Sequence, residues 1–255
     1  MKHRFVRLVC LTLACLLVSF ASLADGMEIA QPIQGEQAYP QGAEQAAYVF
    51  RYAYPQFIAE RETDHDINAY YQALCDDLRE VIIPQSVEAS AMYAEPGAPV
   101  NYTEIGYQLT ANADDYVSVI LTNKQFLGYS ESESLSANVF ARDGIYAGQP
   151  VALSQVMGLE QEGDELAEGS SYASRLVYKL VWQIIQEQQA SKQRDYFEEL
   201  TQEHLEMALN PETDFYIDMD GNLVFYVQVG MIAGEVEGVL VFPFAMAELL
   251  SAVKE

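Results

Sequence analysis

The stretch that decides the fold is Asp214–Leu250, DFYIDMDGNLVFYVQVGMIAGEVEGVLVFPFAMAELL. Two apolar runs, 215–217 and 223–229, flank an Asp-Gly pair, which is a strong sequence signal for a β-hairpin. A third apolar run, 238–243, precedes a predicted helix over 244–253. Strands of this kind pair with one another and bury one face under helices. The stretch therefore predicts an α+β fold with a mostly antiparallel sheet.

The rest of the chain supplies more elements of both kinds. Alternating aromatic residues predict a strand at Ala46–Tyr54 with its aromatic face buried. Further strands are expected at 103–110, 116–122 and 135–141, the first two joined as a hairpin. Apolar residues at helical spacing predict two main helices, at 66–83 and 171–189, packed on one face of the sheet. A shorter helix is expected at 198–209.

The apolar stripe of the first helix is predicted in detail. It is expected to end at or bend near Pro84, and Thr63 or Asp64 is a candidate N-cap. The stripe consists of Ile67, Tyr70, Tyr71, Leu74, Leu78, Val81 and Ile82.

The N-terminus has the pattern of a secretion signal. Three basic residues precede the apolar run 8–20, and small residues then offer a cleavage site before Asp25. We therefore expect a signal peptide over 1–24, a flexible linker over 25–44, and an extracellular or cell-surface location without a membrane span after cleavage. A retained anchor and a lipoprotein modified at Cys15 are the alternatives.

Composition limits the classes of partner. The chain has 13 Lys+Arg against 38 Asp+Glu, a formal net charge of −25. Such a charge repels nucleic acid and anionic membrane surfaces, and attracts cationic proteins, cationic peptides or divalent metals. Cys75 is alone once the signal is removed, so no internal disulfide is expected.

Three short motifs favour structural roles over chemistry. Asp64-His65-Asp66 suits a helix N-terminus better than a metal site. The turn at 218–222 lacks the ligands of a calcium loop at Tyr216 and Val227. The run 128–132 lacks the second glycine of a nucleophile elbow, because Ser132 stands there. No catalytic residue, metal ligand or cofactor is assigned.

One polar run between strands is a candidate binding loop. Its acidic residues would face a cationic partner, although a solvated loop without a binding role is the alternative. The candidate binding residues are Gly128, Tyr129, Ser130, Glu131 and Glu133. The 17 tyrosines also leave open a tyrosine-rich binding face, although core use is the default.

Three segments in order resemble the RsiV/PdaC-like domain family of Gram-positive bacteria. They are Tyr54-Pro55-Gln56 with Ile67-Asn68, the stretch 136–156, and the closing pattern of Asp214-Phe215-Tyr216, Gly221-Asn222-Leu223, Ile232-Ala233 and Gly238-Val239. The family includes the ectodomain of the lysozyme-sensing anti-sigma-V factor and the N-terminal part of a peptidoglycan deacetylase. The chain departs from the family pattern at 127–131, which has no His, and at Gly230 and Gly234.

The resemblance implies two lobes, 45–140 and 141–255, joined into one compact ectodomain. It also implies a secreted, non-catalytic binding domain of the cell envelope, whose partner is a cationic protein such as lysozyme or a peptidoglycan component. The alternative functions are a cell-wall-processing enzyme or its accessory domain, and a structural role at the cell surface.

Overall fold

The computed structural model describes residues 26–42, 45–92, 97–159 and 172–252. The predicted signal peptide and the acidic stretch 160–169 lie outside these residues. The described strands form a five-stranded sheet and a three-stranded sheet. The elements are β1 (Ile33–Tyr39), β2 (Tyr48–Tyr54), α1 (Glu62–Asp77), a π-helical turn (Leu78–Ile82), α2 (Ile83–Met92), β3 (Asn101–Asn112), β4 (Tyr116–Leu127), β5 (Ser130–Ala141), α3 (Leu153–Val156), α4 (Tyr172–Ala190), α5 (Gln202–Ala208), β6 (Phe215–Ile217), β7 (Asn222–Val227), β8 (Leu240–Ala245) and α6 (Met246–Ala252).

The larger sheet has the order β1-β2-β3-β4-β5. All its neighbouring strands are antiparallel except β2 and β3, which are parallel. The predicted aromatic face of β2 is buried and packs against α1 and the start of α2. The core formed there includes Tyr48, Phe50, Tyr52, Tyr54, Ile67, Tyr71, Cys75, Ile83, Val117, Val119 and Phe140. The α+β class is therefore confirmed, with a mostly antiparallel arrangement.

The smaller sheet, β6-β7-β8, has its own helix. Helix α4 buries Val177, Val181 and Ile185 in a core shared with all three strands. That core also contains Phe215, Leu223, Phe225, Val227, Leu240 and Phe242. The two main helices thus belong to different sheets, which corrects the expectation that both pack on one face of a single sheet.

Strands β4 and β5 connect the two sheets. The buried hydroxyl oxygen of Ser118 accepts the N–H of Ile217 at 3.0 Å. Gln228 binds the backbone of Leu135 twice: its amide N donates to the carbonyl at 2.6 Å, and its amide O accepts the N–H at 3.0 Å. Val139 of β5 also belongs to the core of the smaller sheet. The contacts between the sheets are therefore both polar and apolar.

Helices α1 and α2 are continuous through Pro84, and the π-helical turn explains why. A π turn carries about one residue more than an α turn, and it accommodates a proline that would otherwise break the helix. The N–H of Ile83 donates to the carbonyl of Leu78, five residues back. The extra residue rotates the apolar stripe, so Ile83 is 1% exposed, whereas Val81 is 44% and Ile82 41% exposed. The predicted end of the stripe is therefore wrong by one residue.

The predicted flexible linker over 25–44 is wrong for its described residues. Strand β1 pairs with β2 along its full length, from Ile33 opposite Tyr54 to Tyr39 opposite Tyr48. Met27 is buried, and its N–H donates to the side chain of Asn112 at 2.8 Å. The polar composition of β1 follows from its position at the edge of the sheet, where alternate side chains face solvent.

A buried ion pair joins the start of α1 to the end of β5. Arg142 Nε lies 3.6 Å from Asp64 Oδ1, and the two side chains are 4% and 1% exposed. Asp64 Oδ2 also accepts the N–H of Arg61 at 3.1 Å, so Asp64 caps the helix from its third position. The Arg142 guanidinium donates to the carbonyl of Ala113 in the β3–β4 loop at 2.9 Å. Three separate segments therefore meet at this pair.

The turn after Arg142 gives a test of local packing. Gly148 has φ +79°, and a Cβ there would lie 2.8 Å from the Cβ of Asp66. Gly148→Ala is expected to lower the free energy of unfolding by about 2–4 kcal/mol, because a left-handed backbone and an overpacked contact both oppose the methyl group. Urea denaturation followed by circular dichroism measures this loss.

Gly144→Ala is the matched control. Gly144 has φ +75°, but a Cβ there would meet nothing within 4 Å. Its loss should be limited to the backbone cost of about 1–2 kcal/mol. Equal losses in the two variants would show that the contact with Asp66 has no role.

Among the described residues, no helix has the length and apolar character to cross a membrane.

Candidate functional site

The predicted binding loop is a β-hairpin. Strand β4 extends to Leu127, β5 begins at Ser130, and these two residues are opposite each other. Gly128 and Tyr129 form the two-residue turn, in which Gly128 has φ +75°. Positive φ at the first turn position is typical of a type II′ hairpin, which suits the twist of the strands. The candidate residues Ser130, Glu131 and Glu133 therefore lie on a strand, not on a loop.

The backbone of this turn is held by a hydrogen bond to a buried side chain, whereas the side chain at its tip is exposed. The N–H of Gly128 donates to Asn101 Oδ1 at 2.7 Å, and Asn101 is buried. The Asn101 amide N in turn lies 3.5 Å from the carbonyl of Ser90 in α2. The Tyr129 side chain at the tip is 85% exposed. The hairpin thus presents an aromatic residue from a fixed backbone.

Both candidate glutamates have partners on other strands of the larger sheet, Glu131 on β3 and Glu133 on the adjacent β4. Glu131 accepts the hydroxyl of Tyr102 at 2.7 Å, and Lys124 Nζ lies 3.6 Å from Glu133 Oε2. The hydrogen bond from Tyr102 to Glu131 raises the pKa of the tyrosine hydroxyl. These contacts align the two carboxylates along β5.

The same surface continues across the larger sheet. We call it the open face, since it lies opposite α1 and α2. The Tyr102 ring stacks near that of Phe126, with 6.0 Å between centroids and 23° between planes. The described residues that form it near the hairpin are Glu36, Arg51, Tyr102, Glu104, Lys124, Phe126, Glu131 and Glu133.

The open face is acidic although it contains two cations. Both cations are in ion pairs: Arg51 lies 2.8 Å from Glu36, and Lys124 pairs with Glu133. Glu104 and Glu131 have no ion pair among the described residues. A cationic partner would therefore find unneutralised carboxylates beside the half-buried rings of Tyr102 and Phe126.

Asp64, His204 and Asp218 each make contacts that fix the local structure. Asp64 belongs to the buried ion pair, and His204 Nδ1 accepts the N–H of Thr201 at 3.3 Å at the start of α5. Asp218 Oδ1 accepts the N–H groups of Asp220 and Asn222, both at 2.9 Å, which closes the β6–β7 turn. Over the described ranges, no group of three or more His, Cys, Asp or Glu side chains is placed to hold a metal ion.

Cys75 is buried in the core of the larger sheet. Burial raises the pKa of its thiol, which keeps the group protonated and unreactive.

An open depression at the end of α4 was not predicted by any sequence pattern. Its volume is about 470 Å³, and its lining is formed by Gln189, Lys192, Gln193, Arg194, Asp195, Tyr196 and Glu237. Arg194 lies 3.5 Å from Glu237, so this cation is already neutralised. The pairing of Arg194, in the segment after α4, with Glu237 is a long-range contact that no local pattern indicates.

Comparison with known proteins places the fold. No family model and no curated protein matches the sequence. Among solved structures, the chain resembles a DUF3298 family protein from Bacteroides fragilis, with a TM-score of 0.55, 15% identity, and coverage of 88% of this chain and 93% of that one. A DUF3298 family protein from Pseudomonas aeruginosa has the same TM-score and coverage at 13% identity. The chain therefore shares the fold of this domain of unknown function.

Proposed function

We propose that this protein is a secreted, non-catalytic binding domain of the cell envelope, related to the RsiV/PdaC-like domains, and that it binds a cationic protein such as lysozyme. The observation that carries the proposal is the hairpin at 127–131, which presents exposed Tyr129 beside the acidic open face. The net charge of −25 supports it, because an acidic surface steers a cationic partner toward productive encounter.

The proposed contact has an aromatic centre and an acidic border. Tyr129 supplies a large amphipathic side chain from a rigid turn, the kind of residue that is enriched at protein interfaces. Glu131 and Glu133 flank it at the start of β5, where their side chains are exposed. Desolvation of the tyrosine would contribute affinity, and the carboxylates would contribute association rate and orientation.

Binding of lysozyme to the chain without residues 1–24 is the test, measured by surface plasmon resonance at low and high salt. The double variant Glu131→Gln with Glu133→Gln should weaken binding by about threefold to tenfold at low salt, since each charge contributes less than about 1 kcal/mol at an exposed site. The difference should shrink at high salt because screening weakens exposed charge pairs.

The matched control is Glu198→Gln with Glu199→Gln. These two glutamates are also exposed, and they lie beyond α4 between Tyr196 and Leu200, which pack in or against the core of the smaller sheet. The control changes the net charge equally. A similar loss of affinity in both double variants would show that binding depends on net charge and not on the position of Glu131 and Glu133. Absence of lysozyme binding at low salt would remove the proposal for this partner.

A peptidoglycan component is the second candidate ligand, and the stacked Tyr102 and Phe126 rings favour it. Aromatic rings on an exposed sheet face offer apolar surface to a sugar ring, with Glu131 and Lys124 beside them as hydrogen-bonding groups. Co-sedimentation with insoluble peptidoglycan tests this ligand. Retention that persists at high salt and falls in Tyr102→Ala supports it, and recovery of all the protein in the supernatant contradicts it.

A further inference from the structure

The outer edge of β5 is paired along most of its length. The strand has β4 on one side, so alternate residues direct their backbone N–H and C=O groups to the other side. Leu135 is bound there by the Gln228 amide, and the N–H of Ala137 donates to the Tyr226 hydroxyl at 3.2 Å. The carbonyl of Val139 accepts the N–H of Val151 at 2.8 Å. The N–H of Ala141 donates to the carbonyl of Gln149 at 3.3 Å.

Along the outer edge of β5, Leu135 is the last residue whose outward backbone groups are hydrogen-bonded to another described residue, and Glu133 and Glu131 lie beyond it. The β4–β5 register is continuous from Tyr116 opposite Ala141 to Leu127 opposite Ser130, without a bulge. The same alternation therefore directs the backbone groups of Glu131 and Glu133 outward. Within the described ranges, no hydrogen bond reaches these outward groups. Residues 130–134 are all exposed, so this part of the edge is sterically open.

We propose that this edge receives an extended basic segment of the partner protein as a sixth strand. An added strand would use the outward N–H and C=O groups of Glu131 and Glu133, as in other cases of strand addition to a sheet edge. Gln228 already binds Leu135 in this manner, with an amide that occupies the place of a strand backbone. The inference rests on the proposed function and specifies how the cationic partner is held.

The side chains define the chemistry of the added segment. Glu131 and Glu133 lie on the same face of the sheet, about 7 Å apart along the strand. Partner residues directly opposite them would lie on that face too, at the cross-strand distance that favours opposite charges. Their neighbours Ser130, Ser132 and Ser134 present small polar side chains to the other face. The edge therefore suits Lys or Arg at every second position of the partner strand.

Two N-methylated peptides distinguish binding by backbone hydrogen bonds from binding by charge attraction. The parent peptide is acetyl-Lys-Val-Lys-Val-Lys-amide, and one derivative carries N-methyl groups on two lysines, the other on the two valines. Residues opposite Glu131 and Glu133 direct their N–H groups at β5, so methylation of the lysines removes the pairing donors. Methylation of the valines modifies N–H groups that point to solvent, while the charge and the number of methyl groups stay equal.

Fluorescence anisotropy with labelled peptides is the measurement. We expect the lysine-methylated peptide to bind at least about tenfold more weakly than the valine-methylated one, because it loses two hydrogen bonds. In the protein, Glu133→Pro removes one outward N–H without removing a β4 hydrogen bond, which an edge strand tolerates. It should weaken binding of the parent peptide more than Glu133→Gln does, and chemical denaturation of both variants verifies that each is folded.

The outcomes separate the two proposals. Equal binding of the two methylated peptides, or equal loss in the two Glu133 variants, overturns strand addition. If lysozyme binds but no peptide does, strand addition is overturned and the proposed function stands. If neither lysozyme nor peptide binds at low salt, both are overturned.

Discussion

Arg142→Ala is expected to lower the free energy of unfolding by about 3–5 kcal/mol, because removal of one partner leaves a buried charge uncompensated. The carboxylate of Asp64 would remain, 1% exposed, with its capping contacts to the start of α1 but without its cation. The carbonyl of Ala113 would lose a donor as well. The loss should appear as a lower urea midpoint by circular dichroism.

Arg51→Ala is the control, because it removes a closer but exposed ion pair. Arg51 Nε lies 2.8 Å from Glu36, and the two side chains are 46% and 59% exposed. The expected loss is only about 0–1 kcal/mol, since solvent screens such pairs. If Arg142→Ala lowered the free energy of unfolding no more than Arg51→Ala does, burial of the Asp64–Arg142 pair would not contribute to stability.

Phe225→Ala is expected to destabilise the protein by about 3–5 kcal/mol through the cavity it creates. Phe225 is fully buried in β7, the central strand of the smaller sheet. Its ring lies between those of Phe215 and Phe244, at centroid distances of 6.1 and 5.9 Å. Neighbours on both sides hold the space open, so the core cannot collapse easily around alanine.

The single tryptophan gives a local readout for this variant. Trp182 on α4 packs against the core that contains Phe225, so its fluorescence reports on the smaller sheet. Val241→Ala on the adjacent strand β8 is the control, since Val241 is 40% exposed. It should cost less than about 1 kcal/mol, the range of strand propensity. Equal shifts of the fluorescence midpoint in both variants would contradict the assignment of Phe225 to the core.

Local pattern predicted the elements whose side chains alternate clearly between core and solvent. Three predictions of this kind are confirmed: the aromatic alternation of β2, the apolar stripe of α4 and the Asp-Gly turn of the β6–β7 hairpin. In each case the burial of one face is visible in the residue types themselves. The general fold class followed from these elements.

Elements that depend on a distant partner were missed. The polar sequence from Ser130 to Ser134 is a strand because β4 supplies its backbone hydrogen bonds, and strand formation depends strongly on such context. Strand β1 is missed for the same reason, since β2 is its partner. The one-residue shift at Ile83 arises from the π turn, which interrupts the regular period on which the prediction depended.

The sequence analysis proposed the candidate residues, but it did not predict their geometry. The acidic character of the run is visible in the sequence, whereas the 85% exposure of Tyr129 is seen only in the structure. The contacts of Glu131 with Tyr102 and of Glu133 with Lys124 depend on strand register, which the sequence does not specify. The open backbone edge beside them follows from the position of β5 at the end of the sheet.

The amide of Gln228 also has a consequence for self-association. An edge strand with free backbone groups is a template on which identical chains stack and aggregate. Gln228, Tyr226 and the segment 149–151 hydrogen-bond at least one outward group of each of Leu135, Ala137, Val139 and Ala141 in β5. Only a short part of the strand then remains open among the described residues, and it carries two negative charges. Copies of the chain therefore repel one another at the place where a basic segment would be accepted.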